Sequence, residues 1–137
     1  MNQTGPVRRE AFLDSEAAAA LLRDPDSFDP TPVFEIASDL YGSLQGAGSR
    51  TLLLRPGDSL APILPGGAKG GFLLDLDPPA WRSEWGGLLL FQDPGGRVHG
   101  YRPVPGALTL FPAPAAPLIS LISPQGIQRA SILGWWT

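Results

Sequence analysis

Hydrophobic and polar positions along the 137-residue chain follow two rhythms. The first is helical. Asp14-Ser15-Glu16 leads into Ala17-Ala18-Ala19-Ala20-Leu21-Leu22, and acidic residues followed by alanines and leucines predict a helix start. Arg23 suits the far end of that helix, and Asp24-Pro25-Asp26 stops it, because proline cannot continue a helix. Phe34, Ile36, Ala37, Leu40, Tyr41 and Leu44 then recur at spacings of three and four, which predicts a second helix from Phe34 to about Leu44. Gly46-Ala47-Gly48 is expected to end it.

After Gly48 the rhythm shortens. Apolar runs at Thr51–Leu54, Phe72–Leu76, Gly87–Phe91, Arg97–Arg102, Ala107–Phe111, Leu118–Ile122 and Ile127–Leu133 are separated by turns such as Pro65-Gly66-Gly67, Asp93-Pro94-Gly95-Gly96 and Pro105-Gly106. Short strands at this spacing predict a mainly β chain, a sandwich or jelly roll preceded by two helices. The expected layout is one domain over residues 1–137, with a helical part at 1–48 and a β core at 49–137.

Composition supports this picture and narrows the chemistry. The 17 Gly and 16 Pro would suggest low complexity, but 43% of residues are hydrophobic and four are Trp, enough for a packed core. The Gly and Pro load therefore belongs to turns. With no Cys and one His, the chain has no disulfide, no Cys-ligated zinc, no iron–sulfur cluster, no thiol nucleophile and no two-His metal site. Ten basic against 13 acidic residues give a net charge of −3, which makes no electrostatic case for nucleic acid. No apolar run approaches the ~18–20 residues of a membrane helix. Met1-Asn2-Gln3-Thr4-Gly5-Pro6-Val7-Arg8-Arg9 is not followed by the apolar core of a signal peptide, so a cytoplasmic protein without a membrane partner is expected.

Four segments between Leu53 and Trp136 carry a family resemblance. They are Arg55-Pro56-Gly57-Asp58-Ser59-Leu60, the stretch Leu74 to Leu89 with Trp81-Arg82-Ser83-Glu84-Trp85-Gly86-Gly87 at its centre, Ala107-Leu108-Thr109-Leu110-Phe111, and Arg129-Ala130-Ser131-Ile132-Leu133-Gly134-Trp135-Trp136. In this order they resemble the catalytic domain of the iron- and 2-oxoglutarate-dependent dioxygenases, in its bacterial prolyl-hydroxylase-like branch. The resemblance implies a double-stranded β-helix, a jelly roll preceded by helices.

The departures bear on function. The family holds iron with His-x-Asp after the Pro-Gly-Asp strand and a second His after the Leu-Phe strand. Those positions fall at Pro62, Leu64 and Pro117, none of which is a ligand, and a Tyr that helps hold 2-oxoglutarate would fall near Leu54. Fe(II) in this class needs two His and a carboxylate on one face. The resemblance therefore implies a catalytically inactive oxygenase-like chain that holds no iron. It would act as a binding or regulatory module for a protein partner, a second copy of itself, or a small anion. The alternative is an active 2-oxoglutarate-dependent oxygenase with a non-standard metal site.

Arg129 and Ser131 remain as the family's residues facing the co-substrate carboxylate, and they make 2-oxoglutarate or another small carboxylate a possible ligand. Their spacing puts both on one strand face. If that face is interior, the guanidinium needs either an anion or an internal carboxylate. Asp75 and Asp77, also spaced by two, are candidates for the latter. They could instead do acid–base work, bind a cation, or end a strand, since Pro78-Pro79 follows. His99, within Arg97-Val98-His99-Gly100-Tyr101, reads as a surface strand residue. Glu84 reads as structural, with Gly86 and Gly87 allowing close backbone approach. Lys69 lies in a Gly-rich loop that lacks P-loop spacing. Pro112 to Pro117 reads as a stiff connector. Adjacent Trp135 and Trp136 point to opposite faces of a strand, so one of them is expected to be exposed as a partner surface.

Overall fold

A computed structural model describes residues 5–61, 64–76, 80–93, 95–113 and 117–137. Expectations placed on Pro62, Asp77, Pro78-Pro79, Pro94 and the centre of the Pro112–Pro117 connector lie outside these residues. The chain begins with a short strand β1 (Val7–Arg9), followed by α1 (Ser15–Arg23) and α2 (Thr31–Tyr41). The remaining strands are β2 (Gly46–Leu54), β3 (Gly70–Asp75), β4 (Leu89–Gln92), β5 (Val98–Tyr101), β6 (Leu108–Pro112), β7 (Leu118–Ile119) and β8 (Arg129–Trp136).

Local chemistry accounts for the helix ends. The Asp14 carboxylate accepts from the Ala17 N–H at 2.7 Å and caps α1. α2 starts earlier than the apolar stripe suggests, because Pro32 sits in its first turn, where its missing N–H costs nothing. It ends at Gly42, whose φ of 92° suits glycine. Gly46-Ala47-Gly48, expected as the helix stop, instead opens β2. The expected helical part at 1–48 likewise contains a strand, since β1 pairs with β6 through Arg8↔Thr109.

Two antiparallel sheets form the jelly roll: β1-β6-β3-β8-β2 and β5-β4-β7. β3 and β8 lie at the centre of the larger sheet and are buried on both faces along nearly their whole length. That burial explains their continuous apolar runs. One face of the larger sheet, with Phe72, Leu74, Leu110 and Ile132, packs against Ala18, Val33 and Ala37 of the helices. The opposite face, with Leu73, Phe111 and Leu133, meets Leu89, Phe91 and Ile119 of the smaller sheet.

The glycines inside strands have a steric reason. Gly70 lies opposite Trp136 and Phe72 opposite Gly134 in the β3–β8 ladder. A side chain at either glycine would run into the facing ring. Trp136 is 2% exposed and stacks on Tyr41 with ring centroids 5.8 Å apart. Trp135 is half-buried against the inter-sheet core and covers Gly48. The expectation of one exposed tryptophan is thus corrected: the helices cover one face of β8 and the smaller sheet covers the other.

Candidate functional site

Strand alternation decides which side chains enter the space between the sheets. On β8, Arg129, Ser131 and Leu133 share one face, and Leu133 belongs to the inter-sheet core. On β3, Leu73 and Asp75 share the matching face, and Asp75 lies directly across from Ser131. The interior is therefore layered. Leu73, Leu133, Phe111, Phe91 and Ile119 fill its apolar part. Arg129, Ser131, Asp75 and Thr109, each about 1% exposed, form its polar part.

Arg129 is held on two sides. Its Nε donates to the Gly87 carbonyl at 2.7 Å, and Nη1 lies 3.2 Å from Asp75 Oδ1. Asp75 meets a second cation, with Oδ2 3.6 Å from Arg8 Nη2. It also accepts a long hydrogen bond from the Val104 N–H at 3.4 Å. Arg8 donates to Thr109 Oγ1 and to the Arg102 carbonyl, both at 2.8 Å, and its guanidinium sits 4.9 Å from the Tyr101 ring centre. Burial pushes the Asp75 carboxyl above its ordinary value, and the nearby Arg129 and Arg8 guanidiniums offset only part of that rise. Removing one partner from a buried ion pair costs about 3–5 kcal/mol, because the survivor is left buried and uncompensated.

The segment around Glu84 is a scaffold for this arrangement. Trp81 Nε1 donates to the Gly86 carbonyl at 2.9 Å, and Trp81 packs edge-on to Trp85. Gly87 adopts a φ of 65° that side chains rarely take, a Cβ there would sit tightly against Trp81 and Ile122, and its carbonyl faces Arg129. Glu84 itself is exposed and accepts from the Ser83 hydroxyl at 3.4 Å.

The other candidates lie apart from Arg129. His99 is half exposed on the outer strand β5, with Nε2 2.9 Å from Asp93 Oδ2. That contact, with the Arg97 N–H, holds the Asp93 carboxyl below its ordinary value. Leu64 packs against the inter-sheet core, and Pro117 is buried just before β7. Lys69 is exposed.

Arg129 and Ser131 share a strand face, as their spacing of two predicts, and of the carboxylates Asp75 and Asp77, Asp75 is seen to meet Arg129 among the described residues. Arg8, Thr109 and Tyr101 join this cluster without any sequence signal. No pattern around Arg8 marks it as interior; only the β1–β6 pairing brings it there.

The iron implied by the family resemblance does not fit this donor set. A two-His, one-carboxylate face needs two histidines, and the chain has one, on β5. Among the described residues, no three of His, Asp and Glu come together.

No protein-family model matches the chain, and no curated protein matches it. Solved structures do. A prolyl-4-hydroxylase from Pseudomonas putida superposes with a TM-score of 0.75 at 20% identity, over 97% of this chain and 92% of that one. An oxidoreductase of the 2OG-Fe(II) oxygenase family from Burkholderia pseudomallei gives 0.61 at 11% identity, over 100% of this chain and 65% of that one. A prolyl hydroxylase from Trichoplax adhaerens, in complex with a hypoxia-inducible-factor peptide fragment, gives 0.55 at 19% identity, over 98% of this chain and 64% of that one. At these identities the likeness is one of architecture: the chain has the jelly-roll fold of the prolyl hydroxylases and 2OG-Fe(II) oxygenases.

Proposed function

We propose that this chain is a catalytically inactive 2OG-Fe(II) oxygenase-like protein that acts as a binding or regulatory module for a protein partner. The observation that carries this reading is the donor chemistry. Pro62, Leu64 and Pro117 stand at the positions where the resemblance places the iron ligands, and the lone histidine sits on an outer strand, half exposed. Two further observations support it. The Arg129 guanidinium is taken up by Asp75 and Gly87, and apolar side chains fill the inter-sheet space beside it. The remaining resource is surface. β2 is a nine-residue outer strand that pairs only with β8 among the described residues. It carries Leu53 at 51% exposure and flanks a cleft lined by Asp26, Phe28, Arg50, Thr51 and Ile132. An added strand finds main-chain partners along such an edge and side-chain contacts in such a cleft.

The test is metal and co-substrate binding. After incubation with Fe(II) or Mn(II) and dialysis, the protein is expected to retain no stoichiometric metal by elemental analysis. It is also expected to release no succinate from 2-oxoglutarate. Stoichiometric retention together with turnover would establish the active oxygenase instead.

A further inference from the structure

Two guanidiniums and one carboxylate share the polar end of the barrel interior. The side chains of Arg8, Asp75 and Arg129 are 7%, 2% and 1% exposed. Glu10, which also approaches Arg8 at 3.5 Å, does so from solvent, its own side chain being 68% exposed. Asp75 is thus the one buried carboxylate among the described residues to face both cations. A buried cation is costly without an anion beside it, so chemistry defines an anion position between Arg8 and Arg129.

The backbone fixes what fills that position. The Asp75 N–H donates to the Ala107 carbonyl at 2.9 Å, and the Asp75 carbonyl accepts from the Gly106 N–H at 2.8 Å. Across the strand, the Ser131 hydroxyl is 1% exposed and has no hydrogen-bond partner among the described residues. A neutral donor across from Asp75, on the same strand face as Arg129, adds to a cradle for a carboxylate.

We propose that Asp75 is a built-in ligand. Its carboxylate occupies the anion position between Arg8 and Arg129 and closes the interior to external carboxylates. Deleting that carboxylate turns the position into a binding site for a small carboxylate. Truncation to alanine removes a group the size of formate, so formate is the best-fitting occupant and acetate, one methyl larger, a poorer one. This arrangement does not depend on what docks at β2.

The test is thermal unfolding of wild type and Asp75→Ala at constant ionic strength near pH 7, titrated with sodium formate, acetate or methanesulfonate. The Tm of Asp75→Ala is expected to fall by on the order of 10 °C. It should then rise saturably with formate, less with acetate, and not with methanesulfonate. The wild type should show no formate-specific rise. Asp75→Asn, which keeps the side-chain volume and leaves no room, should not be rescued. Asp75→Ala combined with Arg129→Met should lose the rescue. A wild-type response equal to the variant's, or an Asp75→Ala protein that formate leaves unchanged, overturns the proposal. Should Asp75→Ala not fold alone, refolding with and without formate decides: soluble protein only with formate supports the proposal, and insolubility in both overturns it.

Discussion

At the scale of single residues, glycine does much of the specifying. Gly134 sits in the middle of β8 with no turn to justify it, and its reason is the Phe72 ring lying across it. Gly134→Ala would press a methyl group into that ring, which is wedged between Phe28 and Phe34 with centroid distances of 6.3 and 5.8 Å. Overpacking of this kind costs about 1–3 kcal/mol. Gly66 is exposed, with open space where a side chain would go. Gly66→Ala is expected to stay within about 0.5 kcal/mol of wild type. Urea denaturation of the two variants checks the contrast, and equal stabilities would show that the Phe72 ring moves aside freely. None of this was legible in sequence, where a strand glycine reads the same whether a ring covers it or not. The Arg129–Ser131 pair was legible, because a spacing of two fixes a shared face. Its partner Asp75 was legible as one of two candidates.

At the scale of elements, most strands and α1 were readable from short apolar runs, turn residues and the Asp14 cap. The misread elements are those whose reason lies elsewhere in the fold. β1 has three residues, two of them charged, and forms because β6 offers an edge. β2 reaches back to Gly46 because the Phe34 and Trp135 rings cover Gly46 and Gly48. α2 is held to the larger sheet through Tyr41, whose ring stacks on Trp136. Its hydroxyl donates to the Gly5 carbonyl at 3.0 Å and lies 3.3 Å from that of Leu110. Burial pushes the Tyr41 phenol from 10.0 up to about 12. A raised phenol favours the neutral form in the folded state. Its contribution is therefore complete below pH 10 and lost as pH rises through about 12. Tyr41→Phe is expected to cost about 1 kcal/mol at neutral pH through the lost hydrogen bond. It should also flatten the decline in stability between pH 10 and 12. Denaturant midpoints across that range measure both effects, and an unchanged alkaline slope would show that other groups govern it.

At the scale of the whole molecule, the two sheets are finished differently. Among the described residues, the inter-sheet space is occupied by apolar packing and a buried ion cluster. The outer edge of β2 is left open across the described residues. It carries one charge, Arg50, and no proline or lysine along its nine residues, which is little protection against strand addition. Two copies can pair antiparallel along such an edge and continue the larger sheet across a two-fold axis. Leu53, exposed on β2 and opposite Ala130 in the β8 ladder, would then lie beside the joint. Self-pairing at this edge predicts a dimer mass for wild type by light scattering at high concentration. Leu53→Lys should return the monomer mass with Tm nearly unchanged, because a half-exposed side chain contributes little to the monomer's core. A monomer mass for wild type at every concentration would exclude self-pairing and leave the edge to a strand from another protein. A Leu53→Lys variant that stays dimeric would place the contact elsewhere.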